Sequence, residues 1–250
     1  MEKHIVTLEI KKYLSEQFCC KEEELETAEV IYTCNSKKKE AYVKIMAYKE
    51  CVVVSASEDM LSTVQSATIG KRRDEIFELP FVYGQTIHYV PDITKFCEPV
   101  LHDGYTYELL CKKEIKRLAG ISGFDNSLVF DADGNTNTCM VLVAKENGKV
   151  IAIAGAGAET ETMWEVGVDV KKEHRNGGLA TKMVMKLTME ILKRGVIPFY
   201  SASVTNIASQ MVAARSGYFP CWVDTYGTVF DSGFGYGDYM EYKVENQKIR

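Results

Sequence analysis

The segment 168–181 constrains the fold more than any other part of the chain. An apolar stretch, Met163–Val170, runs into a polar turn with two adjacent glycines, Gly177 and Gly178, and a helical pattern begins directly after them at Leu179. The first N–H groups of a helix have no partner within it, so this start suits a phosphate anion. We expect both glycines to adopt positive φ, which lets the backbone approach a ligand closely.

Two flanking residues fit the same interpretation. Arg175 places a full cation beside the turn, and the small Ala180 permits close approach in the first helical turn. Other phosphate sites fit less well, because the turn lacks the G-x-G-x-x-G of a dinucleotide site and the Lys-Ser/Thr pair of a P-loop. A plain strand–turn–helix without a ligand remains the structural alternative.

The residues around this segment predict the order strand, strand, strand, helix, strand, helix, followed by further strands. Asn147-Gly148, between two apolar runs, is a strong hairpin signal. The order predicts an α/β (α+β) fold with a mixed sheet. The predicted elements are the strands Cys139–Lys145, Lys149–Gly155, Met163–Val170 and Phe199–Val204, the helices Leu179–Leu192 and Ile207–Arg215, and aromatic-rich strands from Tyr218 to Val244, where Gly233, Gly235 and Gly237 form a hairpin turn.

The N-terminal half has its own secondary-structure pattern but no motif to which chemistry can be attached. We therefore expect two domains, an α/β domain of unassigned function at 1–125 and a ligand-binding domain at 126–250. The predicted N-terminal elements are an amphipathic helix with Ile5, Leu8, Leu14 and Phe18 on its apolar side, strands near 30–34, 41–47 and 52–55, a helix at 58–69, and a connecting region with little regular structure at 80–104.

Composition limits the function classes. The net charge is −5, and the basic clusters 37–39 and 71–73 are short and lack interleaved aromatic residues, so we expect solvated surface and no nucleic-acid partner. No apolar stretch is long enough to cross a bilayer, so we expect a cytoplasmic protein without a membrane partner. The eight cysteines show no zinc-ligand spacing, which favours reduced thiols and no metal; a redox-active Cys19-Cys20 pair is the alternative. A homodimer is left open.

A resemblance to a known family rests on two segments. The pattern Arg175-x-x-Gly178-x-Ala180 after a strand resembles the pyrophosphate-binding signature of the GNAT superfamily of acyl-CoA N-acyltransferases. Asn206, with Ser209 after it, lies at the end of the next predicted strand, and the run 215–218 is similar to the remainder of that family's second conserved segment. The resemblance covers about residues 128 to 226.

The resemblance implies a fold, a ligand and an activity. The fold is a mixed, mainly antiparallel sheet flanked by helices, and the activity is transfer of an acetyl group from acetyl-CoA to an amine of a small molecule or protein by direct attack. Residues at matching positions would bind coenzyme A: Arg175 and the amides of Asn176, Gly177, Gly178, Leu179, Ala180 and Thr181 the pyrophosphate, and Val168, Val170, Asn206 and Ser209 the pantetheine arm.

Glu165 is the candidate general base, because a carboxylate on the strand before the loop could face the acceptor amine directly or through water. Glu159 and Glu161 are rivals just upstream. Strand alternation places Glu165 on the face opposite Val166 and Val168, and a solvated carboxylate without a catalytic role is the structural alternative.

The general acid departs from the family pattern. Many members carry a tyrosine seven residues after the motif asparagine, but this chain has Ala213 there. Tyr218 and Tyr226 are nearby in sequence, and protonation of the leaving thiolate by solvent is the alternative. His174 beside the loop is expected to have a packing role. The missing tyrosine supports a second functional hypothesis, a non-catalytic acyl-CoA sensor or scaffold.

Overall fold

The computed structural model describes residues 2–38 and 41–227. Part of the predicted C-terminal strand region, with the glycine turn at 233–237, lies outside the described residues, as does the last lysine of the cluster 37–39. The chain divides into two compact units, the first made of Met1–Ile10 and His88–Pro220 and the second of Lys11–Ile87 and Cys221–Arg250. Both units draw on residues from either side of position 125, and the domains 1–125 and 126–250 stay a prediction.

The described residues form five α-helices and ten β-strands. The helices are α1 (Lys3–Phe18), α2 (Glu58–Thr68), α3 (Arg73–Phe77), α4 (Leu179–Leu192) and α5 (Ile207–Arg215). The strands are β1 (Val30–Cys34), β2 (Val43–Tyr48), β3 (Cys51–Ala56), β4 (Thr86–Pro91), β5 (Thr106–Cys111), β6 (Thr138–Glu146), β7 (Lys149–Ala158), β8 (Met163–Val170), β9 (Ile197–Ser203) and β10 (Tyr218–Asp224).

The second unit is built on a short mixed sheet. β1 lies parallel to β3, β3 pairs antiparallel with β2, and β2 pairs antiparallel with the end of β10. Every residue of β3 is buried, because this strand is central and α2 packs on it through Met60 and Val64. Burial of such apolar side chains is the main stabilising contribution of a core.

The first unit is built on a larger sheet with the strand order β4-β9-β8-β7-β6-β5. β5 to β8 form an antiparallel series, and β8 pairs parallel with β9. Asn147 and Gly148 join β6 to β7 with φ of 49° and 78°, which confirms the predicted hairpin turn. α4 packs on β7 and β8 and buries Met183, Val184 and Leu187. The predicted mixed, mainly antiparallel α/β fold is confirmed.

The predicted boundaries are most accurate around the loop. β8, α4 and α5 have the predicted ends, whereas the region 80–104 was wrongly predicted to have little regular structure, because it contains β4. Pro91 is the last residue of that strand, so it does not interrupt the strand. The strand β5 was not predicted.

The helix α1 is confirmed, but two of its predicted apolar-side residues are wrong. Ile5 and Leu8 are 40% and 50% exposed, whereas Val6, Ile10, Leu14 and Phe18 are buried. The buried residues follow an i, i+4 stripe, the spacing of one helical face.

None of the helices within residues 2–38 and 41–227 has the length and apolar character needed to cross a membrane. In the same residues, three or more His, Cys, Asp or Glu side chains do not gather into a group that could hold a metal ion.

Candidate functional site

A cavity of about 770 Å³ lies within the first unit. It is lined by the ends of β8 and β9, the loop before α4, the first turn of α4 and one side of α5. The sequence-predicted site residues Glu165, Val168, Val170, Arg175, Asn176, Gly178, Leu179, Ala180, Thr181, Asn206 and Ser209 all line it, and Gly177 lies within the same loop without lining it.

The cavity opens where β8 and β9 separate. Their register pairs end at Val166↔Tyr200, although β8 continues to Val170 and β9 to Ser203. The amide of Lys171 donates to the Ile151 carbonyl at 2.8 Å, so odd-numbered residues of β8 direct their backbone groups to β7. The backbone groups of the even-numbered Val168 and Val170 therefore point to the β9 side, into the separation.

The loop between β8 and α4 takes left-handed backbone at Asn176 and Gly178, with φ of 67° and 77°. The expectation of positive φ at both glycines was thus wrong for Gly177, because Asn176, a residue type that tolerates this region, takes the first left-handed position instead. A Cβ on Gly178 would meet no atom within 4 Å. Glycine at 178 is therefore favoured by its backbone conformation and not by lack of space.

The start of α4 is an unneutralised positive end. Gly178 is the N-cap residue and has no side chain to accept a hydrogen bond, and the first turn contains no acidic residue. Arg175 lies beside this start, with its Nε donating to the Val170 carbonyl at 2.9 Å, and no carboxylate in the described part of the chain pairs with its guanidinium. Free N–H donors and a cation together favour an anion here.

Asn206 and Ser209 form the start of α5 on the other side of the separation. The Asn206 Oδ1 accepts from the Ser209 amide at 3.0 Å and so caps the helix. The Ser209 Oγ lies 2.8 Å from the hydroxyl of Tyr200, a buried residue of β9 that sequence reasoning missed. Burial raises the pKa of Tyr200, an effect that the Ser209 hydrogen bond opposes.

Glu165 is half-buried and lines the cavity, as does the exposed Glu159, whereas Glu161 is not among the lining residues. The structure thus separates the two rivals upstream of Glu165. Glu165 also lies in register with Phe199, inside the paired part of β8 and β9.

A crossing segment, Phe124–Leu128, passes over the face of the sheet that carries Glu165. A Cβ on Gly155 would lie 1.8 Å from the Ser127 carbonyl oxygen, and a Cβ on Gly167 the same distance from the Asn126 carbonyl oxygen. The segment therefore rests directly on the two glycine positions of β7 and β8. No local pattern marks this contact, and sequence reasoning missed it.

Residues 131–223 match a family model described as GNAT acetyltransferase. The region 131–223 of this chain is a GNAT superfamily region. The matched range lies within the range that resembled this family in sequence. A search of curated proteins found no match.

Solved structures of GNAT proteins are similar to the chain. A GNAT-family protein from Novosphingobium aromaticivorans is 18% identical over 57% of this chain and 63% of its own, with a TM-score of 0.42. A GNAT-family acetyltransferase from Colwellia psychrerythraea is 14% identical over 58% of this chain and 56% of its own, with a TM-score of 0.42. A GCN5-related N-acetyltransferase-like protein from Streptococcus suis is 16% identical over 71% of this chain and 71% of its own, with a TM-score of 0.43. The chain thus spans less than two thirds of the length of the first two proteins.

Tyr218 and Tyr226, the candidate general acids, do not line the cavity. Tyr218 is buried, its hydroxyl lies 2.5 Å from Thr188 Oγ1, and burial raises its pKa. Tyr226 is 53% exposed and is not a lining residue. Ala213 is fully buried in α5.

His174 lines the GNAT cavity at the end of a short 3-10 turn, Lys172–His174. Its Nδ1 lies 3.4 Å from the Tyr105 hydroxyl and its Nε2 lies 3.9 Å from a Glu146 carboxylate oxygen. These contacts fit the packing role expected of it.

Proposed function

We propose that the GNAT domain is an N-acetyltransferase that moves an acetyl group from acetyl-CoA to an amine of a small molecule or protein by direct attack. One observation carries the proposal: the separation of β8 from β9 beyond Val166↔Tyr200 opens a cavity whose wall includes the positive start of α4. An elongated ligand with a phosphate at one end and a hydrogen-bonding arm matches these features.

The chain offers a donor set for each part of such a ligand. The N–H groups of residues 176–181 and the Arg175 guanidinium would hold the pyrophosphate. The backbone groups of Val168 and Val170, which face the separation, would bond to the pantetheine arm, with Asn206 and Ser209 on the opposite side. The absence of acidic residues in the first turn of α4 supports this fit, because a carboxylate there would repel phosphate.

The chain also offers groups for the acyl transfer itself. The Val168 amide, directed into the separation, would stabilise the oxyanion that develops when an amine attacks a thioester carbon. Glu165, half-buried on the cavity wall, would act as the base or attract the acceptor ammonium. With Ala213 in place of a tyrosine, the departing thiolate would take its proton from solvent.

A second function, a non-catalytic acyl-CoA sensor or scaffold, is favoured by Ala213 and by the burial of Tyr218. Both functions require the ligand, but only one requires turnover. Thermal stabilisation by CoA together with release of free thiol from acetyl-CoA in the presence of an amine panel supports the transferase. Stabilisation without turnover of any amine supports the sensor.

The position of the pyrophosphate is tested by a matched pair of glycine variants. Gly178 and Gly195 flank the two ends of α4, have φ of 77° and 76°, and have no atom within 4 Å of a built Cβ. Gly178→Val and Gly195→Val should therefore suffer the same backbone strain.

Only Gly178→Val should lose the stabilisation by CoA, which at a hundredfold excess over Kd is about 2.7 kcal/mol. An unchanged CoA shift in Gly178→Val would place the pyrophosphate elsewhere. Loss of the shift in both variants would indicate a general defect of α4.

A further inference from the structure

Ser201, at the wall of the cavity, forms a serine–histidine pair with His88. Ser201 is in β9 and His88 is in the neighbouring strand β4, both within the first unit. The Ser201 Oγ lies 2.9 Å from the His88 Nδ1. Ser201 lines the cavity, whereas His88 is not among the lining residues and is half-buried.

The face on which Ser201 lies follows from the strand register. Phe199 pairs with Glu165, and side chains of paired residues in parallel strands share a face. Alternation along β9 then places Ser201 on the face of Phe199 and Glu165, and Tyr200 on the opposite face with Val166. The His88 ring lies against Phe199, with ring centroids 6.1 Å apart, which holds the imidazole on the same face as Ser201.

The position along the strand distinguishes Ser201 from Glu165. Glu165 lies before the last register pair, Val166↔Tyr200, in the part where β8 and β9 are still joined. Ser201 is the first residue of β9 beyond that pair, on the open side, where the backbone of Val168 also faces the separation. Ser201 is thus the nearer side chain to the place where an acyl group held by the Val168 amide would be attacked.

We propose that Ser201 and His88 form a proton relay that accepts the proton of the acceptor amine, an inference that rests on the proposed acyl transfer. In this relay His88 carries its proton on Nε2, so that the Ser201 hydroxyl donates to Nδ1. An imidazole is the side chain most often used as a general base, and a hydroxyl bonded to it can pass a proton inward.

In one turnover, a proton of the acceptor ammonium moves to the Ser201 Oγ while the Ser201 proton moves to the His88 Nδ1, and the neutral amine that results bonds to the acyl carbon. The second N–H proton that the nitrogen loses goes to solvent, which protonates the departing thiolate. The electron pair of the carbon–sulfur bond leaves with the sulfur of CoA. His88 then returns its proton to solvent, and Glu165 contributes only attraction for the acceptor ammonium.

The experiment compares Ser201→Ala, His88→Gln and Ser201→Thr with the wild type and with the surface controls Ser66→Ala and His4→Gln. With an alkylamine that the wild type acetylates, Ser201→Ala and His88→Gln should each lose about 100-fold or more in kcat with little change in KM for acetyl-CoA. Ser201→Thr, which keeps the hydroxyl, should retain most of the activity. The thermal shift with CoA should be unchanged in every variant.

A second acceptor separates the relay from a structural effect. Hydroxylamine is mostly neutral at neutral pH and needs less help in losing a proton, so Ser201→Ala should lose far less activity with hydroxylamine than with the alkylamine. An equal loss with both acceptors overturns the relay, as does retention of a third or more of kcat by Ser201→Ala, and in both cases the transferase stands. A wild type that binds CoA but acetylates no amine overturns the transferase and the relay together.

Discussion

Ser127 donates two hydrogen bonds to the same carboxylate oxygen of Asp169, one from its amide and one from its Oγ, both at 2.9 Å. Asn126 adds two more, from its amide at 2.9 Å and from its Nδ2 at 2.6 Å. Asp169 lies on β8 between Val168 and Val170, the residues whose backbone faces the separation of β8 from β9. One carboxylate therefore fixes the crossing segment to the strand on which the proposed ligand site depends.

Asp169→Asn should destabilise the protein by about 1.5–3 kcal/mol, because hydrogen bonds to a charged acceptor are replaced by weaker ones and the new NH₂ group faces N–H donors. The free energy of unfolding measured with urea checks this value. Asp133→Asn is a suitable control, since Asp133 lies in an exposed turn where its backbone amide, and not its carboxylate, makes the hydrogen bond. Equal stability of the two variants would contradict the anchoring role of Asp169.

Alanine at Gly155 or at Gly167 should displace the crossing segment, because each new methyl group would lie 1.8 Å from a backbone carbonyl oxygen. Such overpacking commonly costs about 1–3 kcal/mol. Gly157→Ala on the same strand as Gly155 is the matched control, since the nearest atom to its Cβ would be in the Asn137 side chain, at 3.5 Å. Urea unfolding should therefore show a loss for the first two variants and near-neutrality for the third.

A double variant tests whether these two observations concern one contact. Gly167→Ala and Asp169→Asn both act on the crossing segment. The double variant should therefore lose less free energy of unfolding than the sum of the losses in the two single variants. Full additivity would show that Asp169 and Gly167 stabilise different parts of the fold.

The local structure of the proposed ligand site could be predicted because its signals are local. Arg175, Gly178 and the apolar pattern of α4 follow one another in the chain, and the helix start they predict is the one observed. Asn206 could be placed by the same reasoning, since a cap residue precedes the helix that it caps. Only the distribution of positive φ within the loop was wrong, at Gly177.

The remainder of the site depends on contacts between residues distant in sequence. Asp169 and Ser127 have no common local pattern, and Ser201 meets His88 only because β4 lies beside β9. The prolines around β4 favoured an irregular region, although Pro91 is the last residue of β4 and does not interrupt it. Sequence periodicity describes single elements and carries no information about which strands become neighbours.

Alkaline pH should destabilise the protein through its half-buried Cys221. Burial raises the pKa of this thiol from 9.0 to about 12. The folded state keeps the proton while the unfolded chain loses it, so stability is full below pH 9 and falls as the pH rises toward 12. Cys221→Ala should make the decline above pH 9 shallower, by up to about 1.4 kcal/mol per pH unit.

The exposed Cys97 provides the control for this measurement. Urea unfolding at a series of pH values should give the same slope for Cys97→Ala as for the wild type. A cavity left by Cys221→Ala would lower stability at every pH and would not change the slope, so an unchanged slope in Cys221→Ala contradicts the prediction.

Arg175→Gln should weaken CoA binding about 10- to 100-fold, because a charge-assisted hydrogen bond contributes about 1.5–3 kcal/mol. The Nε of Arg175 holds the side chain against the Val170 carbonyl, which leaves the other guanidinium donors for the anion at the start of α4. Arg72→Gln removes the same charge from a side chain that is 85% exposed and should leave the affinity unchanged. Isothermal titration with CoA at low and high salt measures the Kd of each variant and its dependence on salt. The Kd of Arg175→Gln for CoA should also depend less on salt than the Kd of the wild type, because the variant lacks the attraction between the guanidinium and the phosphate. If Arg175→Gln and the wild type have the same affinity and the same salt dependence, the pyrophosphate lies away from Arg175.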